Sequence, residues 1–155
     1  GRNTEGEIVS WGVNSRLDNL QAAILLHKLS TYEHDINHRR ELARTYHSYL
    51  GSCDQLQLPP SPDADPIHFD VYQNYEIKCI DRDLLKEFLA SQGIGTIIQW
   101  AGRPIHSFKQ LGFEVELPTT DKFFQSCLML PMNSALTIQE CTYICEKIIQ
   151  FYKHG

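Results

Sequence analysis

The sequence lacks a long apolar run and carries little positive charge. Its 14 Lys and Arg residues are outnumbered by 19 Asp and Glu residues, which gives a formal net charge of −5 at pH 7. No stretch approaches the length of a membrane span, and no signal peptide opens the sequence. The acidic balance disfavours nucleic-acid binding, including by a helix–turn–helix built from the first helices, and binding to an anionic membrane surface. We therefore expect a cytoplasmic protein with no nucleic-acid or membrane partner.

Metal-ligand and disulfide patterns are also scarce. The five cysteines are odd in number and irregularly spaced, which favours reduced thiols over a disulfide framework. Cys141 and Cys145 lie one helical turn apart, as two small buried residues would. His34 and His38 are four apart on a predicted helix, but no third ligand is evident, and the arginines that follow favour a solvated polar face. We predict no metal site, and at 155 residues we expect one domain.

The stretch Gly12–Leu25 has the features of a capped helix. Ser15 is the predicted N-cap, and Asp18 follows at the spacing of a capping box. Apolar residues recur behind it at helical intervals, and the helix is predicted to reach about Leu29. Asn14 and Arg16 are polar residues at the N-terminal end of this helix. The unpaired N–H groups of a helix N-terminus favour binding of a phosphate.

Further capping and termination signals divide the rest of the chain into elements. Ser30 and Glu33 form a second predicted capping box, for a helix that ends at Gly51. The prediction continues with a strand at 71–80, a helix capped by Asp81 and ended by Gly93, and a short strand at 96–98. A helical turn within 108–113, a helix opened by Pro118, a strand at 127–130 and a last helix whose capping box is Thr137 and Glu140 follow. The helix after Asp81 is predicted to place four apolar residues inward, namely Leu84, Leu85, Phe88 and Leu89.

This alternation predicts an α/β architecture. We expect a small, mostly antiparallel sheet covered by helices on one side, with a long N-terminal helical arm. The turn at 99–106 directly follows a predicted strand and contains Trp100, Arg103 and His106. Loops at strand ends are frequent positions for functional sites.

Several blocks of the sequence resemble the DegT/DnrJ/EryC1/StrS family of sugar aminotransferases. The similarity extends over nearly the whole chain and recurs in the family's order and spacing. The blocks are Gly12 to Ile24, Gln73-Asn74-Tyr75-Glu76-Ile77, Arg82-Asp83-Leu84-Leu85, Gly93-Ile94-Gly95-Thr96, Pro104-Ile105-His106, Leu117-Pro118, Leu128-Met129-Leu130-Pro131 and Leu136-Thr137.

The resemblance implies the C-terminal small domain of a fold-type I pyridoxal-phosphate aminotransferase. Residues 1–12 would be the lead-in from a large domain, and residues 13–155 the small domain. The full-length enzyme would use pyridoxal 5'-phosphate to transfer an amino group, expected to come from glutamate, to a nucleotide-linked keto sugar. Such sugars enter surface polysaccharides such as O-antigen, or antibiotics. The family's Schiff-base lysine lies upstream and has no counterpart in this chain, so no catalytic residue is assigned.

The resemblance also assigns binding residues. In family dimers the Asn of the signature lies near the cofactor phosphate of the neighbouring subunit, so Asn14, with Arg16 beside it, is expected to bind cofactor across a homodimer. Trp100 and His106 are expected to bind substrate. Many members have a His-Tyr pair where this chain has Gln99-Trp100, so no first histidine is carried over.

A second hypothesis belongs to a different class. The chain could be a non-catalytic folding and dimerisation module that binds no cofactor. In either case the chain alone is expected to be inactive.

Overall fold

The computed structural model describes residues 3–11 and 17–154, with only the backbone of His154. The elements in chain order are α1 (Asn19–Leu29), α2 (Tyr32–Leu50), β1 (Leu56–Gln57), β2 (Tyr75–Cys79), α3 (Arg82–Ser91), α4 (Pro118–Ser126), β3 (Cys127–Leu130) and α5 (Ile138–His154). Three 3₁₀ turns lie between α3 and α4, at Gln99–Gly102, Ile105–Ser107 and Lys109–Leu111. The chain divides into two compact units, Gly1–His34 and Asp35–Gly155.

In the first unit, the described part of α1 starts later than predicted. It begins at Asn19 after Asp18, which has an extended backbone and makes no side-chain cap, and it ends at Leu29 as expected. The predicted cap Ser15 lies outside the described residues. The capping box predicted at Ser30 is wrong, because the Ser30 hydroxyl donates to the His27 carbonyl at 2.6 Å and thereby closes α1 instead. No residue of α1 is buried.

The second unit is built on a three-stranded antiparallel sheet in the order β1-β2-β3. Leu56 pairs with Cys79 at one edge of β2, and Tyr75 pairs with Leu130 at the other. Alternate residues of β2 are buried, as a strand with one face on the core requires. Tyr75 and Ile77 therefore share the buried face.

Three helices supply the rest of this core. The buried cluster combines side chains of β2 and β3 with Leu42 and Tyr46 of α2, Leu85 and Leu89 of α3, and Ile144 and Ile148 of α5. Cys141 and Cys145 are fully buried in the same cluster, as the small-residue interpretation predicted. On the opposite face of β2, the Lys78 ammonium lies 5.6 Å from the ring centroid of Phe123 on α4. The α/β architecture with a small antiparallel sheet and helices is confirmed.

One predicted strand is shorter in the structure, and another does not form. The strand predicted at 71–80 occupies Tyr75–Cys79, because Tyr72 has a positive φ of 50° and the Asp70 carboxylate accepts its N–H at 2.8 Å in a side-chain turn. The stretch 96–98 is not a strand. Ile97 alone is bridged to Met129, through two backbone hydrogen bonds of 3.2 and 2.8 Å.

The predicted helix boundaries agree with the structure better than the predicted strand lengths do. Gly93, with φ 78°, follows α3 in the left-handed conformation expected of a terminating glycine. Asp81 precedes α3 as predicted, but its own backbone is left-handed and its side chain makes no cap hydrogen bond. Leu85 and Leu89 face inward, whereas Leu84 is 58% exposed, so its predicted inward position is wrong. Pro118 opens α4 at its first turn, as expected.

The capping box of α5 forms as predicted. The Thr137 N–H and hydroxyl both donate to Glu140 Oε2 at 2.8 Å, and the Glu140 N–H donates back to the Thr137 hydroxyl at 3.2 Å. Within residues 3–11 and 17–154, no helix combines the length and apolar character needed to cross a membrane. The same residues include no group of three His, Cys, Asp or Glu side chains arranged to hold a metal ion.

Candidate ligand-binding site

The turns between α3 and α4, together with α4 itself, form an open pocket of about 740 Å³, within the usual range for small-molecule sites. Most of its wall is apolar, and a few polar groups interrupt it. The lining residues are Trp100, Arg103, Pro104, Ile105, His106, Phe108, Leu111, Leu117, Thr120 and Phe124. Trp100 and His106, the two predicted substrate-binding residues, therefore lie in one pocket.

Trp100 is held at this pocket by an unusual backbone. Trp100 and Ala101 both have φ of 53°, and Gly102 follows with φ of 70°. A left-handed backbone costs an L-residue about 1–2 kcal/mol, so two in succession must be stabilised by their surroundings. The Arg103 N–H closes this turn on the Trp100 carbonyl at 3.1 Å. The conformation leaves the indole 74% exposed instead of burying it in the core.

Arg103 places a positive charge on the pocket wall. Its guanidinium carbon lies 4.5 Å from the centroid of the Phe108 ring, a cation–π contact that orders the side chain. Arg103 forms no ion pair with any residue that the structure describes. Its charge is thus available to an anionic ligand.

His106 is fixed by a carboxylate from the next helix. Its Nε2 lies 3.0 Å from Asp121 Oδ1, and only 8% of the His106 side chain is exposed. Asp121 is in the first turn of α4, which Pro118 begins. With Nε2 donating to Asp121, Nδ1 makes no hydrogen bond within the described part of the chain. His106 thus has one nitrogen engaged and one free for a ligand.

Asp121 is a residue that the sequence analysis missed. An acidic residue in the first turn of a helix usually complements the helix dipole, and nothing local links it to a histidine fifteen positions earlier. The other two predicted site residues, Asn14 and Arg16, lie outside the described residues, so the structure neither joins them to this pocket nor separates them from it.

Comparison with known proteins agrees with the fold and the sequence blocks. The chain matches the DegT/DnrJ/EryC1/StrS aminotransferase family over residues 1–149, and it belongs to that family. It is 36% identical over 149 residues to a "Pleiotropic regulatory protein" of Geobacillus stearothermophilus, which covers 92% of this chain and 39% of that protein. It is 31% identical to the dTDP-3-amino-3,6-dideoxy-alpha-D-galactopyranose transaminase of Aneurinibacillus thermoaerophilus, covering 90% of this chain and 38% of the relative.

Solved structures give the same assignment. A DegT DnrJ EryC1 StrS aminotransferase from Brucella abortus superposes with a TM-score of 0.78 at 30% identity, covering 94% of this chain and 38% of that one. This chain therefore spans about two fifths of the length of the relatives that it matches. Pyridoxal phosphate is the cofactor of the full-length enzymes of this family.

The described pocket does not by itself fit pyridoxal phosphate. That cofactor needs a lysine for its imine and an acid against its ring nitrogen. No lysine is among the residues that line the pocket, and the carboxylate beside it, Asp121, is paired with His106. The described pocket therefore has side chains that can contact a substrate, but it lacks the complete set of groups that the cofactor needs.

Proposed function

We propose that this chain is the C-terminal part of a sugar aminotransferase that acts on a nucleotide-linked keto sugar, with glutamate as amino donor. The observation that carries the proposal is family membership over residues 1–149 combined with a pocket that holds both Trp100 and His106. The name of the Aneurinibacillus relative supports a nucleotide-linked substrate. The Schiff-base lysine would come from a large domain upstream, with residues 1–12 as lead-in and residues 13–155 as the small domain.

The pocket residues would bind and orient the substrate. Apolar side chains such as Phe108 and Phe124 exclude water around it, which strengthens each polar contact made inside. When the ring is neutral and its Nε2–H donates to Asp121, the Nδ1 of His106 can accept a hydrogen bond from a sugar hydroxyl. A single buried polar group of this kind discriminates strongly against analogues that lack the matching hydroxyl.

Asn14 and Arg16 are proposed to bind the cofactor phosphate of the neighbouring subunit in a cytoplasmic homodimer. Their support is the match of Gly12 to Ile24 to the family signature. Hydrogen bonds to a charged group contribute about 1.5–3 kcal/mol each. Asn14→Ala in the full-length enzyme should therefore weaken pyridoxal-phosphate binding by roughly ten- to a hundredfold. A lower melting temperature with an unchanged dissociation constant would instead assign Asn14 to shaping the turn.

Restoring a large domain tests the proposed activity. A chimera would join the large domain of the Aneurinibacillus transaminase to residues 1–155 of this chain, and amino sugar formed from glutamate and a dTDP-linked keto sugar would be measured by mass spectrometry. We expect product from the chimera and none from the chain alone. Trp100→Ala and His106→Ala in the chimera should lower kcat/KM. The matched control Lys122→Gln, an exposed change on α4 outside the pocket, should not.

The alternative function is a folding and dimerisation module without catalysis. One relative of the chain, from Geobacillus stearothermophilus, has a name that states a regulatory role and no reaction. The module would be favoured if the chimera binds pyridoxal phosphate, as measured by its imine absorbance, but forms no amino sugar from several keto sugars. Product formation at about 1 per second or faster, typical of enzymes, would exclude it.

A further inference from the structure

We propose that residues 59–71 form a strap that opens as one unit while the three-stranded sheet stays folded, with Arg40 as its latch. The strap lies in the connection between β1 and β2, two neighbouring antiparallel strands that a turn of two residues could join. Irregular connections longer than about 12–15 residues are uncommon in compact domains and usually have a function or lack fixed structure. The strap contributes no residue to the candidate pocket, so its opening is independent of the proposed function.

Backbone hydrogen bonding does little to hold the strap. Among the described residues its backbone makes one such bond, from the Ala64 N–H to the Ser61 carbonyl at 3.0 Å, and none to the backbone of another segment. Its prolines have no N–H to donate. Within residues 59–71, Pro62 is the only residue that is buried. A segment with so little buried surface opens locally at a lower free energy than the core does.

Arg40 of α2 holds the strap at two separated points. Its guanidinium donates to the carbonyls of Pro62 and Asp70, each at 2.8 Å, and its carbon lies 4.2 Å from the centroid of the Phe69 ring. Only 9% of Arg40 is exposed, and hydrogen bonds shielded from water are stronger than exposed ones. Loss of this one side chain should therefore release both halves of the strap.

The other attachments lie at the margin of the strap or in solvent. His47 Nε2 lies 2.6 Å from the carbonyl of Pro59, the first strap residue. Arg44 pairs with Asp63 at 2.8 Å, but these side chains are 48% and 62% exposed, and exposed pairs contribute little. The remaining bonds from outside the strap come from Tyr72, the residue that follows it. The strap can therefore leave α2 without breaking a hydrogen bond of the sheet.

Both ends of the strap are anchored on the core. Leu58 packs against the buried cluster, and Tyr72 belongs to that cluster with 2% of its surface exposed. The Arg39 guanidinium also donates to the Tyr72 carbonyl at 3.1 Å. These anchors limit the moving unit to residues 59–71 and leave β1 and β2 paired when it opens.

Cleavage of the whole chain by chymotrypsin tests the inference, because proteases cut segments that are free of fixed structure. Phe69 is the one aromatic residue of the strap, so cleavage after Phe69 reports strap opening. Tyr75 of β2 is fully buried, so cleavage after Tyr75 reports unfolding of the sheet. Mass spectrometry of the early products gives both initial rates. When opening and closing are fast, each rate follows the population of its open state.

We expect the two cleavage rates to respond differently. Urea should raise cleavage after Tyr75 steeply and cleavage after Phe69 only slightly, because opening of the strap exposes little surface. Ile148→Val, a mild core change, should raise cleavage after Tyr75 about 2- to 12-fold and leave cleavage after Phe69 unchanged. Arg40→Met should raise cleavage after Phe69 about 30-fold or more. The exposed control Arg44→Gln should raise it no more than about fivefold.

Two results would overturn the inference. One is the same urea dependence, or the same response to Ile148→Val, at both cleavage sites, because the strap would then open only when the sheet unfolds. The other is an equal rise of cleavage after Phe69 in Arg40→Met and Arg44→Gln, because Arg40 would then not be the latch. Wild type in urea and Ile148→Val decide the first point even if Arg40→Met does not fold.

Discussion

Single residues in this chain make structural contacts that their local sequence does not predict. Arg40 lies in a stretch whose histidines and arginines predict a solvated face, yet only 9% of Arg40 is exposed. Its guanidinium donates to the carbonyls of Pro62 and Asp70, each at 2.8 Å, and its carbon lies 4.2 Å from the Phe69 ring centroid. Arg40 thus ties the segment that contains Pro62 and Asp70 to α2, and the solvated-face prediction is wrong for this residue.

Arg40→Met should lower the free energy of unfolding by about 2 kcal/mol or more, because the buried Pro62 carbonyl and the part-buried Asp70 carbonyl lose a charged donor while the apolar stem is retained. Urea denaturation measures the change. The matched control is Arg44→Gln, which breaks an ion pair with Asp63 whose arginine side chain is 48% exposed. Exposed pairs contribute about 0.2–1 kcal/mol. Equal losses in the two variants would contradict the role given to Arg40.

The five thiols should react in two classes. Cys79, Cys127, Cys141 and Cys145 are buried, whereas Cys53 is partly exposed. Burial raises the pKa of Cys79 to about 11, so little of the reactive thiolate exists near neutral pH. Ellman's reagent at pH 8 should modify one thiol quickly and the rest only after denaturation. Cys53→Ser should remove the fast phase, and a fast phase that persists in this variant would refute the assignment.

At the scale of elements, capping decides where the last helix begins. The Thr137–Glu140 box satisfies donors at the N-terminus of α5, the helix that contributes Ile144 and Ile148 to the core. Thr137→Ala should cost about 1 kcal/mol of stability, measured by urea denaturation. Ser30→Ala, where the predicted box is not formed, is the comparison and should cost less. A larger loss at Ser30 would contradict the assignment of the two caps.

The same box predicts a pH dependence. Hydrogen bonds from the Thr137 N–H and hydroxyl hold the pKa of Glu140 below its ordinary value of 4.5. A carboxyl whose pKa is lower in the folded state stabilises the fold above the unfolded-state pKa, and this contribution is lost as the pH falls through the folded-state pKa. Melting temperatures of wild type and Glu140→Gln should therefore differ at pH 7 and converge as the pH falls through the lowered folded-state pKa of Glu140. A difference that stays constant with pH would exclude this linkage.

At the scale of the whole molecule, the first unit presents much apolar surface. Ile8 and Trp11 are exposed, and Leu20 and Leu26 of α1 are more than 70% exposed. So many exposed large apolar side chains in one short unit are rarely left open on a monomer. Val13, which we also expect to contribute, lies outside the described residues.

We therefore expect the free chain to associate with itself at high concentration. Light scattering should show a mass above 17.9 kDa that rises with concentration. A Leu20→Ser, Leu26→Ser double variant should reduce this association. Leu84→Ser, an exposed leucine on α3, is the control and should not. A monodisperse monomer at all concentrations would contradict the expectation.

Features that depend only on neighbours along the chain could be predicted from the amino-acid sequence. Local hydrogen bonding and side-chain period account for the end of α1 at Leu29, the terminating Gly93 after α3 and the start of α4 at Pro118. They also account for the capping box of α5 and the alternation in β2. The family blocks likewise pointed to Trp100 and His106, which share a pocket in the structure.

Only the tertiary structure decided the features that join distant segments. The Asp121–His106 pair, the burial of Arg40 and the left-handed turn that exposes Trp100 each depend on groups brought together by folding. Strand length belongs here as well, because the stretch 96–98 has strand propensity but pairs with β3 at Ile97 alone. Pairing partners, ion pairs and burial are properties of the packed chain, and local propensity does not encode them.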